Sequence, residues 1–176
     1  GPSSSHTVGP MRAARRFAER LAAQAMLPRV TSVNVELFGS LAATGKGHGS
    51  DKAILLGLEG ETPETVDVDA IERRLAAIRS EKRLHLLGQC PISFDEATQL
   101  AWRKRKLLPG HVNAMRFCAT GDPGEELLSR VYYSVGGGFV ADEASLAAGE
   151  AVGSAVDLPY PFASGSELLQ LCQDSE

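Results

Sequence analysis

Two extended runs flank the turn Gly121-Asp122-Pro123-Gly124, and this arrangement constrains the fold more than any other feature of the chain. Residues 112–119 alternate, with Val112, Ala114, Arg116 and Cys118 on one face and Asn113, Met115, Phe117 and Ala119 on the other. A second extended run follows over 128–140. Period-two patterning is the mark of a strand, and a Pro/Gly turn between two such runs predicts an antiparallel hairpin. A chain committed to that hairpin is neither all-helical nor a strict alternation of strands and crossover helices.

The remaining patterns add helices to this sheet. Met11, Ala14, Phe17, Ala18, Leu21 and Ala25 recur at three- and four-residue steps, which predicts a helix over 7–26 with Thr7 as its cap and Pro10 near its first turn. A half-buried strand is expected at 30–38. A glycine-punctuated loop with one helical turn follows, and then a short helix from Ser50 or Asp51 to Leu58. Ile71, Leu75 and Ile78 line one side of an expected helix over 69–80. Short strands at 83–87 and 92–95 precede a polar segment that holds the single tryptophan, Trp102, and runs to Pro109. A further helix is expected over 164–172. The fold class is therefore α+β, a mixed or antiparallel sheet with helices packed on it.

Composition narrows the function. With 176 residues, 43% of them apolar and 23% charged, the chain can bury one ordinary domain core. A net charge of −4 gives no reason to expect nucleic acid as a partner. The basic run Arg103-Lys104-Arg105-Lys106 stands alone and reads as a solvated helix end. No apolar run approaches the ~20 residues of a membrane span. Cys90, Cys118 and Cys172 are widely spaced, odd in number and without CxxC spacing. They suit a reducing, cytoplasmic setting and offer no zinc or iron–sulfur cage of their own.

Four polar segments stand out. In the first, Ser3, Ser4, Ser5, His6 and Thr7 lead into a helix start, where unpaired N–H groups and the helix dipole can hold a carboxylate. The same residues also suit a capping loop or an expression scar. In the second, Thr44-Gly45-Lys46-Gly47-His48-Gly49-Ser50-Asp51, glycines on both sides of Lys46 and His48 let the backbone approach a ligand, although a plain surface loop has the same composition. No phosphate-binding GxxxxGK[ST] pattern is present. The third, Gly110-His111-Val112-Asn113, offers an imidazole that can orient a partner and an amide that can donate to a carboxylate, or an ordinary strand start. The fourth, Gly136-Gly137-Gly138, interrupts the last run and marks a bulge, close packing or a sharp bend. His85, in an apolar strand, is expected to be structural.

Taken together, "GPSSSHTVGPMRAA", "TGKGHGSD", "GHVNAMRF", "YYSVGGGFV" and "LPYPFASGSELL" resemble the β domain of the iron–sulfur L-serine dehydratases, which is itself similar to the allosteric substrate-binding domain of some phosphoglycerate dehydrogenases. One departure is Val112, where the family usually has proline. The resemblance implies residues 1–162 as the β domain and 163–176 as a helix or linker toward an iron–sulfur α domain. It implies conversion of L-serine to pyruvate and ammonia without pyridoxal phosphate, using a four-iron, four-sulfur cluster held by the α domain and not by this chain. His48 would be the base, with Lys46 assisting electrostatically. Ser3, Ser4, Ser5, His6, Thr7, Gly49, Asp51, His111 and Asn113 would bind substrate. The expected partners are the α domain or subunit, L-serine and a second copy in a homodimer, with no nucleic acid and no membrane. A domain that only binds L-serine as an effector, or only dimerises, is the competing reading.

Overall fold

A computed structural model describes residues 4–149. Ser3, the expected helix at 164–172, the 163–176 boundary and Cys172 lie outside the described residues. The chain opens with a π-helical turn, Ser4–Val8, that runs directly into helix α1, Gly9–Ala23. Pro10 sits in the first turn of α1, where its missing N–H costs no hydrogen bond. Thr7 does not cap the helix. Val8 occupies that position without a side-chain cap, and Thr7 Oγ1 instead donates 2.9 Å to the carbonyl of His48.

Strand β1 spans Ser32–Phe38. The expected loop after it is mostly helical: α2, Gly39–Thr44, then a 3-10 turn, Gly45–His48. Helix α3, Ser50–Leu58, begins where the sequence places it. Helix α4, Val68–Glu81, is capped by the Asp67 carboxylate, which accepts from the Asp69 N–H at 3.0 Å. The short strands β2, Arg83–Leu86, and β3, Cys90–Ser93, form a separate two-stranded sheet. Helix α5, Glu96–Gln99, leads into strand β4, Leu100–Arg103. The hairpin is β5, Asn113–Thr120, against β6, Glu126–Gly136. Strand β7, Phe139–Asp142, and the short helix α6, Glu143–Ala147, complete the described fold. Among the described residues no helix is long and apolar enough to cross a membrane.

The main sheet has the order β4-β1-β5-β6-β7. Only β1 and β4 run parallel, with Val35 opposite Leu100. The other pairs are antiparallel. The architecture is thus α+β with a mixed sheet, as the patterning implies.

Two expectations need correction. The segment around Trp102 is a strand, so Arg103 ends β4 and the basic run is not a helix end. The run over 128–140 is two strands, folded back at Gly137 and Gly138, whose φ angles of 61° and 78° suit glycine.

The core lies between one sheet face and helices α1 and α3. Met115, Phe117 and Ala119, which share one face of the alternation, point into it. Phe17 of α1 stacks on Phe117 at 5.3 Å between ring centroids, and Phe117 meets the Tyr132 ring edge-on at 5.9 Å. Burial of each such ring contributes about 2–3 kcal/mol, and that packing fixes where the N-terminal turn before α1 must lie. Helix α3 crosses α1 closely: a Cβ on Gly57 would sit 2.2 Å from the Met11 carbonyl oxygen.

Candidate active site

The anchoring of α1 delivers the Ser4–Val8 turn to the loop that follows α2. Two cross-bonds join the segments, from Thr7 Oγ1 to the His48 carbonyl and from the buried Ser50 Oγ to the His6 carbonyl. Gly45 is required by contact, because a Cβ there would lie 2.8 Å from Ser50 Oγ and 3.2 Å from the Trp102 ring. Gly49 is required by conformation, with φ 74° at the start of α3. Gly47 faces open space and has neither constraint.

His6 is buried, and both of its ring nitrogens are engaged. Nδ1 is 2.9 Å from Ser5 Oγ; Nε2 is 3.0 Å from Thr44 Oγ1 and 3.3 Å from Ser40 Oγ. The Thr44 hydroxyl donates its one proton to the Ser40 carbonyl at 3.0 Å. Its oxygen is then an acceptor, which assigns the proton of neutral His6 to Nε2 and leaves Nδ1 to accept from Ser5. No sequence motif points to Ser40, and Thr44 opens the glycine-rich segment without a role assigned to it. They lie four residues apart on α2, so they share a face, and that spacing is the signal that was available.

The His48 ring lies 5.1 Å from that of His6, tilted by 54°. His48 is exposed, and neither of its ring nitrogens has a hydrogen-bond partner among the described residues. Burial holds the pKa of His6 below its ordinary value; a hydrogen bond to the Ser40 backbone opposes this, and neighbouring His48 adds to it. A base with a lowered pKa in the fold is more readily protonated when unfolded. The stability that neutral His6 contributes is therefore complete above pH 6.5 and is lost as the pH falls below it. Urea midpoints measured on either side of pH 6.5 should fall on acidification, and His6→Gln should remove that part of the slope. A midpoint that is flat or rises on acidification would reject this account.

The third segment arrives through β5. Val112 O accepts from the Ser40 N–H at 2.9 Å, and Gly39 pairs with Asn113 across an isolated bridge. His111 behaves as a strand-start residue, its Nδ1 accepting from the Asn113 N–H at 3.0 Å. The Asn113 amide is largely buried. Its Nδ2 donates to the Ser134 carbonyl at 3.3 Å, while Oδ1 has no partner. One of the two N–H groups expected to meet a carboxylate is thus already committed, and the atom left without a partner is an acceptor.

Lys46 and Asp51 are placed differently. Both line a cavity of about 480 Å³ whose walls include none of His6, Ser40, Thr44 or His48. Asp51 Oδ2 accepts from Arg79 Nη2 at 3.2 Å, and Arg79 Nε donates to Glu96 at 2.7 Å. Burial raises the Asp51 pKa, Glu96 raises it further, and Arg79 opposes them. The structure therefore gathers Ser5, His6, Thr7, His48 and Asn113 around the ends of α2 and β5, with Ser4 exposed at the entrance, and sends Asp51 to an ion pair instead.

Comparison with known proteins identifies the family. A family model described as the serine dehydratase beta chain matches residues 1–145. The L-serine dehydratase of Streptomyces coelicolor is 51% identical over 175 residues, covering 99% of this chain and 38% of that protein. L-serine dehydratase 1 of Escherichia coli is 42% identical over 177 residues, again 99% of this chain and 38% of its own length. The L-serine dehydratase of Mycobacterium tuberculosis is 44% identical over 172 residues, 98% of this chain and 37% of that protein. The chain spans less than two fifths of the length of these relatives.

Proposed function

We propose, from the premise that this chain belongs to the serine dehydratase beta chain family, that it forms the substrate-binding half of an L-serine ammonia-lyase site and supplies the base for α-proton removal. The observation that carries the reading is the contrast between the two imidazoles. His6 is hydrogen-bonded at both nitrogens and buried, whereas His48 stands 5.1 Å away with both nitrogens uncommitted. His6 is a positioning residue in this scheme, and His48 is the base.

L-serine binds with its carboxylate at the Ser4 hydroxyl and the first N–H groups of the Ser4–Val8 turn, the Ser5 and Thr7 hydroxyls being given to His6 and to the His48 carbonyl. Its ammonium meets Asn113 Oδ1, an acceptor otherwise left without a partner in a buried setting. His48 takes the α proton. The released electron pair forms the Cα–Cβ double bond as the β-hydroxyl leaves, taking up a proton to become water. The resulting enamine tautomerises to an imine, which water hydrolyses to pyruvate and ammonia.

The hydroxyl is a poor leaving group and needs a Lewis acid. Among the described residues no group of three or more His, Cys, Asp or Glu side chains could hold a metal ion, and Cys90 and Cys118 lie in different sheets. These residues do not fit a four-iron, four-sulfur cluster, so no step of this chain is routed through one. We assign polarisation of the hydroxyl to the α domain or subunit, where such a cluster would serve.

The complete enzyme, assayed without oxygen, should release equal amounts of pyruvate and ammonia from L-serine; no pyruvate would refute the reading. Asn113→Ala in that enzyme should raise KM by roughly 10–100-fold, the effect of one hydrogen bond to a charged group, with a smaller change in kcat. An unchanged KM would remove Asn113 from the ammonium site.

A further inference from the structure

The cavity beside the catalytic loop is a second built site. Its walls come from the 3-10 turn, α3, α4, the Phe94 and Asp95 link, α5 and β4, and the dehydration scheme uses none of its side chains. Ile78, Phe94 and Leu100 are buried, and with Trp102 they form an apolar wall. The polar side chains divide unevenly between satisfied acceptors and free donors. Both Glu96 oxygens accept from Arg79, at 2.7 and 3.2 Å. Asp51 Oδ2 accepts from Arg79, and the Lys52 backbone N–H also donates to the Asp51 carboxylate. Asp95 accepts from Lys82 at 3.1 Å and from the Ala97 N–H at 3.1 Å. On the donor side, Lys46 has no ion-pair or hydrogen-bond partner among the described residues, and Nη1 of Arg79 has none either.

We infer that this cavity binds a small monocarboxylate with an apolar body, its carboxylate held by Lys46 and Arg79 Nη1 and its body against Trp102 and Phe94. The acid groups of the cavity are already matched, so an added cation gains little, whereas an added anion meets two unused donors. An apolar body of a few carbons displaces water from the Ile78, Phe94 and Leu100 wall. Lys46 lies two positions before His48 in the same turn, and a Cβ on Gly45 would meet the Trp102 ring at 3.2 Å, so the ligand contacts the segment that carries the proposed base.

Trp102 is the only tryptophan in the chain, and because it also lines a basic recess with Arg103–Lys106, the Lys46 variants are what assign a change in its fluorescence to this cavity. Titrating the 176-residue chain with 4-methylpentanoate should change Trp102 emission saturably, with a dissociation constant on the order of 1 mM for so small a ligand. The uncharged 4-methylpentan-1-ol should bind about tenfold more weakly, and Lys46→Met should weaken the acid about tenfold while Lys46→Arg stays within about threefold. Lys46 is exposed, so neither change threatens the fold, and circular dichroism checks this. No saturable change, equal binding of acid and alcohol, or unaltered binding by Lys46→Met would each overturn the inference. The readout is binding and not turnover, so its failure is separate from any failure of the dehydratase reading.

Discussion

Replacing His48 by alanine in the complete enzyme is expected to lower turnover of L-serine by about 10²–10⁴-fold, the usual contribution of a positioned general base. The α proton of an amino acid is weakly acidic, so its removal needs a positioned base. His6 is not a substitute, although its ring lies only 5.1 Å away. Its Nε2–H is directed at Thr44 and Ser40, its Nδ1 accepts from Ser5, and burial disfavours its charged form. Taking a proton there would break an established hydrogen bond and place charge in a desolvated position. His48 is exposed and makes no ring hydrogen bond, so the alanine variant should fold with an unchanged urea midpoint. The loss should fall on kcat, and the base-dependent limb of the pH–rate profile should disappear with it. Turnover close to that of the parent would rule out His48 as the base and leave the site a binding device only.

Gly57→Ala should destabilise the chain by about 1–3 kcal/mol, and the sign is the informative part. In an ordinary helix the same change stabilises by roughly 0.5–1 kcal/mol, because glycine loses more backbone entropy on folding. Here the added Cβ would sit 2.2 Å from the carbonyl oxygen of Met11 and 2.9 Å from the Ala14 Cβ. The nearer atom is backbone, so no side-chain rotation relieves it, and α1 must move away from α3. That movement also displaces the Ser4–Val8 turn, which continues into α1 and carries His6. A fall in the urea midpoint at constant slope, accompanied by lower turnover in the complete enzyme, is the expected pattern. A stabilised Gly57→Ala chain would show that the two helices are not in the contact described.

Much of this fold is legible in local patterning. The alternation of β5 separates its two faces, of which that of Met115, Phe117 and Ala119 meets the main core while Ala114 on the other is buried as well, and the three- and four-residue steps of α1 pick out Phe17 and Leu21. Strand β4 is not legible. It has only four residues, and its reason for being extended is a parallel partner more than sixty positions earlier, Val35 to Leu100. The break between β6 and β7 is a matter of φ angles at three glycines, and composition alone does not separate a hairpin turn from a bulge. At the site, the motifs are visible because serine, histidine and glycine cluster in them. Their roles are not, because a role depends on which atoms remain free. Asn113 offers two N–H groups and an acceptor on paper, and the Ser134 carbonyl takes one of the N–H groups while the acceptor is left without a partner.

The sequence alone therefore determined which faces are buried, where the hairpin turns and which short stretches carry polar chemistry, since each of these is set by neighbours a few positions away. Only the tertiary structure decided that Thr7 ties down the His48 loop instead of capping a helix, that Asp51 pairs with Arg79 and that His6 is engaged while His48 is free. Those outcomes depend on long loops closing, and the closure is driven by the α1, α3 and sheet core, whose packing no local period encodes.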